Sequence, residues 1–467
     1  MEEREERHVA DGHYKDKWNL ILSEKRTCEK GEMTDPDGGN PFEDDYGRLI
    51  TSAPVRRLQN KTQIFPLERS TYIRTRLTHS LEVSYIAGLL GQKVELFLRE
   101  RGDMPEGKGG WLCSLLRTAG LVHDMGNPPF GHFGEEAVKD FFRTYLKNDA
   151  QGLSDLERAD LENFDGNVQS FRILTKLHYL GDAAGYNLNY STLAALIKYP
   201  CNALEGNLGA SSKEIAHKKF GYFASEANLF QALSDYLQMQ GRRCPLAYLL
   251  EAADDIAYCT SDLEDGVKLG AVRVNQIYEF FDQELTEYHD YVMNNLDGIL
   301  EKYKNEGKLK DAILTQNICT FLQREMISAT VRCFVENYDS IMRGTLEHEL
   351  LEVSAASDIR KVLRQLQLQM FRYKAKEKKE LAGWEAMHSL LGIFVRCCEE
   401  EHLDTTANTY AAHIYNIISA NFRQNYETLE TYPNDRYNRL RMVVDFLTSL
   451  NDRDAIDLFK ELKGATV

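Results

Sequence analysis

Residues 120–136 read Gly-Leu-Val-His-Asp-Met-Gly-Asn-Pro-Pro-Phe-Gly-His-Phe-Gly-Glu-Glu. An apolar helical run from Leu112 to Val122 ends in the pair His123–Asp124. Gly126, Pro128, Pro129 and Gly131 stop that helix and bend the chain back. His132 and Glu135 then open the next helix and share one of its faces. Adjacent His and Asp at a helix end can bring an imidazole nitrogen and a carboxylate oxygen to one ion. The stretch therefore predicts a metal site with an acid/base pair beside it.

A His-Asp pair alone carries little weight, because His289–Asp290 is a second one. That pair has no Gly/Pro turn after it and is read as an exposed helix pair. His123–Asp124 has company. Upstream, His79 lies near the start of a long helix in which Leu81, Tyr85, Ile86, Leu89, Leu90, Val94 and Phe97 recur at helical spacing and are expected to form the core face. Arg76, one turn before His79, is expected to point into the same site and to suit a phosphate. Downstream, Pro245 starts a helix running to about Val267, on which Asp254, Tyr258 and Asp262 form one stripe. A carboxylate on so apolar a helix must be paired or ligate a metal. Asp255 is the rival ligand, and spacing leaves the choice between Asp254 and Asp255 open.

The chain has 467 residues, 43% hydrophobic and 27% charged, the make-up of an ordinary globular protein with a length prior of roughly three domains. No apolar run approaches the roughly 18 residues that span a membrane, and the charged N-terminus has no apolar signal region. Nine scattered Cys without a CxxC predict reduced thiols and a cytoplasmic home. A net charge of −16 argues against coating nucleic acid non-specifically, while leaving room for a local basic pocket.

Along the chain, residues 1–42 read as an N-terminal extension, a short helix plus a loop punctuated by Asp35-Pro36-Asp37-Gly38. Residues 43–275 form the core segment, with a small hairpin expected between Ile64–Phe65 and Thr71–Arg74. The segment Asn163–Arg172 is either a polar substrate contact or a turn entering a helix. Lys198-Tyr199-Pro200 ends a helix, and Lys218–Lys219 sits in a loop. Residues 276–467 read as successive helices over 276–303, 308–338, 345–372, 380–402, 406–423, 434–449 and 453–463. The expected fold class is all-α.

His79, His123, Asp124 and one of the two aspartates offer two nitrogens and two carboxylates, leaving positions open for water and a substrate oxygen. Such a set suits Mn²⁺, Fe²⁺, Co²⁺ or Zn²⁺ better than Mg²⁺. With His132 and Glu135 as a proton-transfer pair, hydrolysis of a phosphate ester or anhydride is the expected reaction class. No P-loop, HExxH or GxSxG motif is present.

The order His…His-Asp…Asp resembles the HD phosphohydrolase superfamily. Further segments narrow the likeness: Arg57-Leu-Gln-Asn-Lys-Thr-Gln-Ile-Phe-Pro66, Arg74-Thr-Arg-Leu-Thr-His-Ser-Leu-Glu-Val83, His123 to Glu135, Phe164-Asp-Gly-Asn-Val-Gln-Ser-Phe-Arg172, Lys198-Tyr-Pro200, Lys219-Phe-Gly-Tyr222, Glu251-Ala-Ala-Asp-Asp-Ile-Ala-Tyr258 and Arg441-Met-Val-Val-Asp-Phe-Leu with Asp452-Arg453. Together they resemble the bacterial deoxyguanosinetriphosphate triphosphohydrolases over about residues 43–460. The resemblance implies an HD-domain helical core, with a helical C-terminal region that completes the site and makes oligomer contacts. It implies hydrolysis of dGTP, or of several dNTPs, to deoxynucleoside and tripolyphosphate at the α-phosphorus. The implied metal ligands are His79, His123, Asp124 and Asp254, holding Mn²⁺ or Mg²⁺. His132 is the implied acid/base residue and Glu135 its partner. Arg76, Lys198 and Lys219 would take phosphates, and Tyr199, Tyr258 and Asp262 would line the sugar and phosphates. A Tyr ring under the 2′-carbon would exclude a ribose hydroxyl, and Gln59 or Gln63 would read the 3′-hydroxyl. The resemblance further implies a homo-oligomer, often a hexamer, and a dNTP or single-stranded-DNA effector. The alternatives are an HD hydrolase of another nucleotide, such as a monophosphate or an alarmone, and a non-catalytic dNTP sensor or DNA-binding scaffold.

Overall fold

The computed structural model of the protein describes residues 14–28, 39–68, 70–147, 149–177, 185–207, 215–305, 307, 310–371, 374–400 and 403–465. The architecture is all-α, and among the described residues no strand forms. Two isolated antiparallel bridges occur there, Arg26 with Asn189 and Thr62 with Thr75. The hairpin expected over residues 64–74 is thus corrected to a single bridge at its base. Pro66 has no N–H to donate, and Leu67 sits at a φ of 53°, so the chain turns before a ladder can extend.

Helix Trp111–Val122 is pressed against helix Arg76–Arg101. The approach is close enough that a Cβ on Gly120 would come within 2.8 Å of the Ser84 Cα. Helix Pro245–Lys268 runs through the middle and packs on Arg76–Arg101, Lys310–Glu336 and Ser357–Phe371. The buried face of helix Arg76–Arg101 is Val83, Ile86, Ala87, Leu90, Val94 and Leu98. This corrects the expected core face, because Leu81 and Tyr85 are exposed. Apolar residues on two adjoining stripes give the same periodicity, and only the packing partner selects between them.

Apolar side chains gather in two clusters. The first runs from Tyr14 and Trp18 through Leu90, Leu115 and Ile256 to Leu363 and Met370. The second joins Phe142, Phe164 and Phe220 to Leu391, Phe394 and Val443. The turn after His123–Asp124 crosses between them, with Met125 in the first and Phe130 in the second.

The N-terminal helix Lys15–Ile21 is part of the first cluster, where the buried Trp18 donates its ring N–H to the Tyr338 hydroxyl at 2.7 Å. The loop at residues 35–38 lies outside the described residues. Asn40 then caps helix Pro41–Ile50 by accepting from Phe42 N. Later helices break more often than periodicity suggests. The segment 276–303 is two helices, Val274–Glu284 and His289–Lys302, separated at Tyr288, whose φ is 58°. The helix expected over 345–372 begins only at Ser357, and 406–423 holds the short helices Tyr410–Ile417 and Ala420–Gln424. No described helix is long and apolar enough to cross a membrane.

Candidate active site

Helix Trp111–Val122 ends where expected, with His123 as its C-cap residue, and helix His132–Leu146 opens after the turn. His79 lies one turn into helix Arg76–Arg101, whose start is secured by the Thr78 hydroxyl accepting from Thr75 N at 3.0 Å. His79, His123 and Asp124 are buried together, with a ligand atom from each within 4.8 Å of the others. Asp254 closes the group. Its Oδ1 lies 3.2 Å from His79 Nε2 and 3.4 Å from His123 Nε2.

The donor chemistry fits a divalent metal. His123 Nδ1 lies 2.8 Å from the Gly120 carbonyl, and a hydrogen bond there puts the proton on Nδ1 and leaves the Nε2 lone pair free. Nε2 is buried, has no hydrogen-bond partner among the described residues, and faces both carboxylates. Burial pushes the His123 imidazolium down, but Asp124 and Asp254 outweigh it and hold the group above its ordinary value. Burial raises the Asp124 carboxyl, and Arg76, His123 and His79 overcome that and bring it down to about 2. Asp254 is likewise held low against burial, by His123 and Lys198. Arg76 pairs with Asp124 through Nη1, and Asn127 Nδ2 donates to the other Asp124 oxygen at 2.6 Å.

Geometry separates the two aspartates that spacing left equivalent. Asp254 reaches the histidines, whereas Asp255 turns away to Arg360 and Arg364. Burial lifts Asp255 to about 6 in spite of those two arginines. Asp254→Asn is therefore expected to weaken Mn²⁺ binding at least about 100-fold, and Asp255→Asn to leave it unchanged, as read by titration calorimetry.

His79, Asp124 and Asp254 line a cleft of about 570 Å³, and His123 is buried against the two carboxylates. Among the cleft's walls are Arg76, Gln63, His132, Glu135, Lys198, Tyr199, Lys219, Tyr258 and Asp262. Gln63 reaches it with a buried Oε1 that has no hydrogen-bond partner among the described residues. Gln59 does not reach it and is exposed on the short helix Leu58–Asn60. Lys198 Nζ lies 3.4 Å from Asp254 Oδ2, and Lys219 Nζ 2.5 Å from Asp165 Oδ2. Asp165 also caps helix Gly166–Arg172 by accepting from Asn167 N, and Asn167 lines the cleft. The 163–172 segment is thus both a helix entry and a cleft wall. Burial holds the Asp262 carboxyl well above its ordinary value, with the nearby Asp265 adding to the effect.

His132 and Glu135 both line the cleft, but no hydrogen bond joins them among the described residues. Glu135 Oε1 instead accepts from Lys139 Nζ at 2.7 Å, while His132 is exposed at the helix start. Lys139, one turn beyond Glu135, competes for the carboxylate.

One wall escaped sequence reading. Helix Ser357–Phe371 carries Arg364, Gln367 and Leu368 into the cleft. Arg364 Nε donates to the Tyr258 hydroxyl at 2.8 Å, and Gln367 Nε2 to Asp262 Oδ2 at 3.2 Å. Their signal was a polar stripe, Arg360, Arg364 and Gln367, on an otherwise apolar helix face.

Comparison with known proteins places this cleft in context. The HD domain family matches residues 76–186, which carry His79, His123 and Asp124. The chain is 38% identical over 471 residues to the deoxyguanosinetriphosphate triphosphohydrolase-like protein of Listeria monocytogenes serovar 1/2a, covering 96% of this chain and 99% of that protein. It is 30% identical to a protein of the same description from Pseudomonas aeruginosa (strain LESB58), over 96% and 98% of the two chains. It is 29% identical to the deoxyguanosinetriphosphate triphosphohydrolase of Salmonella paratyphi A, over 90% and 93%. With the histidine–aspartate cluster at its cleft and such identity over nearly whole chains, the protein belongs to the deoxyguanosinetriphosphate triphosphohydrolase-like family of HD-domain phosphohydrolases.

Proposed function

We propose that the protein hydrolyses deoxynucleoside triphosphates, dGTP foremost, to the deoxynucleoside and tripolyphosphate. The observation that carries this reading is the convergence on one cleft of the His79–His123–Asp124–Asp254 cluster with Arg76, Lys198, Lys219 and Arg364. His79, His123, Asp124 and Asp254 would hold a divalent ion, Mn²⁺ in the first instance, with Fe²⁺, Co²⁺ and Zn²⁺ compatible with the donors and Mg²⁺ the poorer match. Such an ion supplies a Lewis acid for a phosphoryl oxygen and acidifies water.

The chain's residues do the rest. Lys198 and Lys219 take phosphate oxygens, and Arg76 steadies Asp124 while presenting a buried Nε that has no hydrogen-bond partner among the described residues. His132, exposed at the cleft wall, is the proton donor to the leaving 5′-oxygen. Glu135, anchored by Lys139, swings to His132 when substrate enters. Tyr258 and Tyr199 flank the sugar, with Tyr258 crowding the 2′-position. Gln63 and Asp262 offer hydrogen bonds to its 3′-hydroxyl. Nine free thiols among the described residues are consistent with a cytoplasmic location. The resemblance supports a homo-oligomer, with a hexamer as the first expectation from light scattering, and a dNTP or single-stranded-DNA effector.

Incubation with dGTP and Mn²⁺ followed by ³¹P NMR tests the reaction. Tripolyphosphate is the expected product. Pyrophosphate or orthophosphate would instead indicate a different nucleotide hydrolase, and binding without turnover would indicate a sensor.

A further inference from the structure

The turn between Asp124 and His132 is held in an unfavourable shape. Phe130 sits at a φ of 64° and Gly131 at 58°. A bulky aromatic residue rarely adopts the left-handed region, and such strain persists only where the surroundings over-determine it.

Three attachments do so here. Lys61, buried at 2% exposure, donates from Nζ to the Asn127 carbonyl at 2.6 Å and to the Thr448 carbonyl at 2.7 Å. Asp452, also 2% exposed, accepts at Oδ1 from Phe130 N at 3.0 Å, while Thr62 hydrogen-bonds to its other oxygen. The Phe130 ring fills the space over Gly383, where an added Cβ would come within 2.4 Å of it.

The same two-residue segment reaches the other half of the site. Arg76 N donates to the Lys61 carbonyl at 3.1 Å, and Thr62 bridges Thr75, so Lys61–Thr62 seats the start of the His79 helix. Asn127, gripped through its carbonyl by Lys61, holds Asp124 through its side chain.

We propose that Lys61 and Asp452 form a clasp that keeps the strained turn in place and thereby sets His132 relative to the His79–His123–Asp124–Asp254 cluster. Both are positioning residues, since neither lines the cleft. The clasp spans more of the chain than any local motif, with Thr62 and Asp452 separated by 390 residues. It gives helix Asp452–Leu462 a role in a reaction that takes place elsewhere in the molecule. The inference rests on the proposed hydrolysis, and the test below separates the two.

In Asp452→Ala, kcat for dGTP is expected to fall about 10–100-fold, the range for lost supporting contacts, while KM and the Mn²⁺ Kd stay near wild type. Asp452→Asn keeps an acceptor for Phe130 N and is expected to recover kcat to near wild type. Backbone amides of residues 127–131 exchange faster in Asp452→Ala and return to wild-type rates in Asp452→Asn. If Asp452→Ala does not fold, Lys61→Met carries the same expectations for kcat and amide exchange, because methionine fills the stem's volume without the ammonium. Its Mn²⁺ Kd is expected to rise as well, because Asn127 passes the lost contact on to Asp124.

Unchanged kcat in a folded Asp452→Ala or Lys61→Met protein would overturn the clasp. So would parallel losses in kcat, KM and Mn²⁺ affinity in Asp452→Ala, which mark general loosening. A wild-type protein that turns over no dNTP would sink the proposed reaction instead, and local amide exchange would still decide whether the clasp holds the turn.

Discussion

Alanine at position 123 is expected to abolish tripolyphosphate release from dGTP, with kcat/KM falling at least about 10³-fold, because a catalytic metal supplies several kcal/mol of transition-state stabilisation. His123 Nε2 is buried, lacks a hydrogen-bond partner among the described residues, and lies 3.4 Å from both Asp124 Oδ1 and Asp254 Oδ1. Its removal leaves one imidazole facing two carboxylates. It also removes a group that holds both carboxyls below their ordinary range, so both pKa values rise and proton competition for the site grows. Arg76 and Lys198 still pair with those carboxylates, so the fold should survive. The measurement is ³¹P NMR of the product alongside calorimetric titration of Mn²⁺. Mn²⁺ binding should disappear together with activity. Tripolyphosphate release at the wild-type rate by a variant that no longer binds Mn²⁺ would place the reaction somewhere other than this cluster.

Arg172→Met is expected to destabilise the protein by about 3–5 kcal/mol, the cost of breaking a buried ion pair from one side. Arg172 is 3% exposed and contacts Asp445 at 2.9 Å, Glu226 at 2.8 Å and Glu430 at 3.4 Å. It ties together helix Gly166–Arg172, the loop before residue 227, the turn at Glu430 and helix Asp435–Ser449. Without it, the three buried carboxylates retain, among the described residues, Lys176 and Arg441 as paired cations.

The pH dependence separates charge from packing in that variant. Burial raises the Glu430 carboxyl, but Arg172 and Lys176 outweigh it and bring it down from 4.5 to about 2. A depressed carboxyl contributes stability that is full above its unfolded value and is lost as pH falls through the folded one. In the wild type that contribution is therefore present above about pH 4.5 and disappears towards pH 2. The variant lacks most of it throughout. The gap between the two proteins, read by urea unfolding, should be widest at neutral pH and should narrow as Glu430 protonates. A gap of equal size at pH 7 and pH 3 would mean that lost packing, and not the uncompensated carboxylates, is responsible.

What could be read without the fold was local. The Gly/Pro turn after His123–Asp124 stops one helix and starts another through backbone conformations available to only a few residue types, so its place was legible. Helices Arg76–Arg101 and Pro245–Lys268 declared themselves by periodicity, and the second also by its start at Pro245. Where two solutions satisfied the same local rule, reading stopped. Asp254 and Asp255 are about 100° apart on one helix, and which of them meets the histidines depends on helices that lie far away in the chain. Leu81 and Tyr85 were as apolar as Val83 and Ala87, yet the burying partner covers the second stripe. Gln59 and Gln63 shared a segment, and the turn after Asn60 carries only Gln63 into the cleft.

The sequence by itself determined the all-helical class, the histidine–aspartate turn and the candidates His79, Asp254 and Asp255 that accompany it, because propensity, capping and spacing act within a few residues along the chain. Tertiary structure alone decided that Arg364 and Gln367 close the cleft over Tyr258 and Asp262, and that Lys61 and Asp452 grip the turn. Most of those contacts join groups more than a hundred residues apart. Their geometry is settled by how two hydrophobic clusters pack around the turn, which no short-range rule encodes.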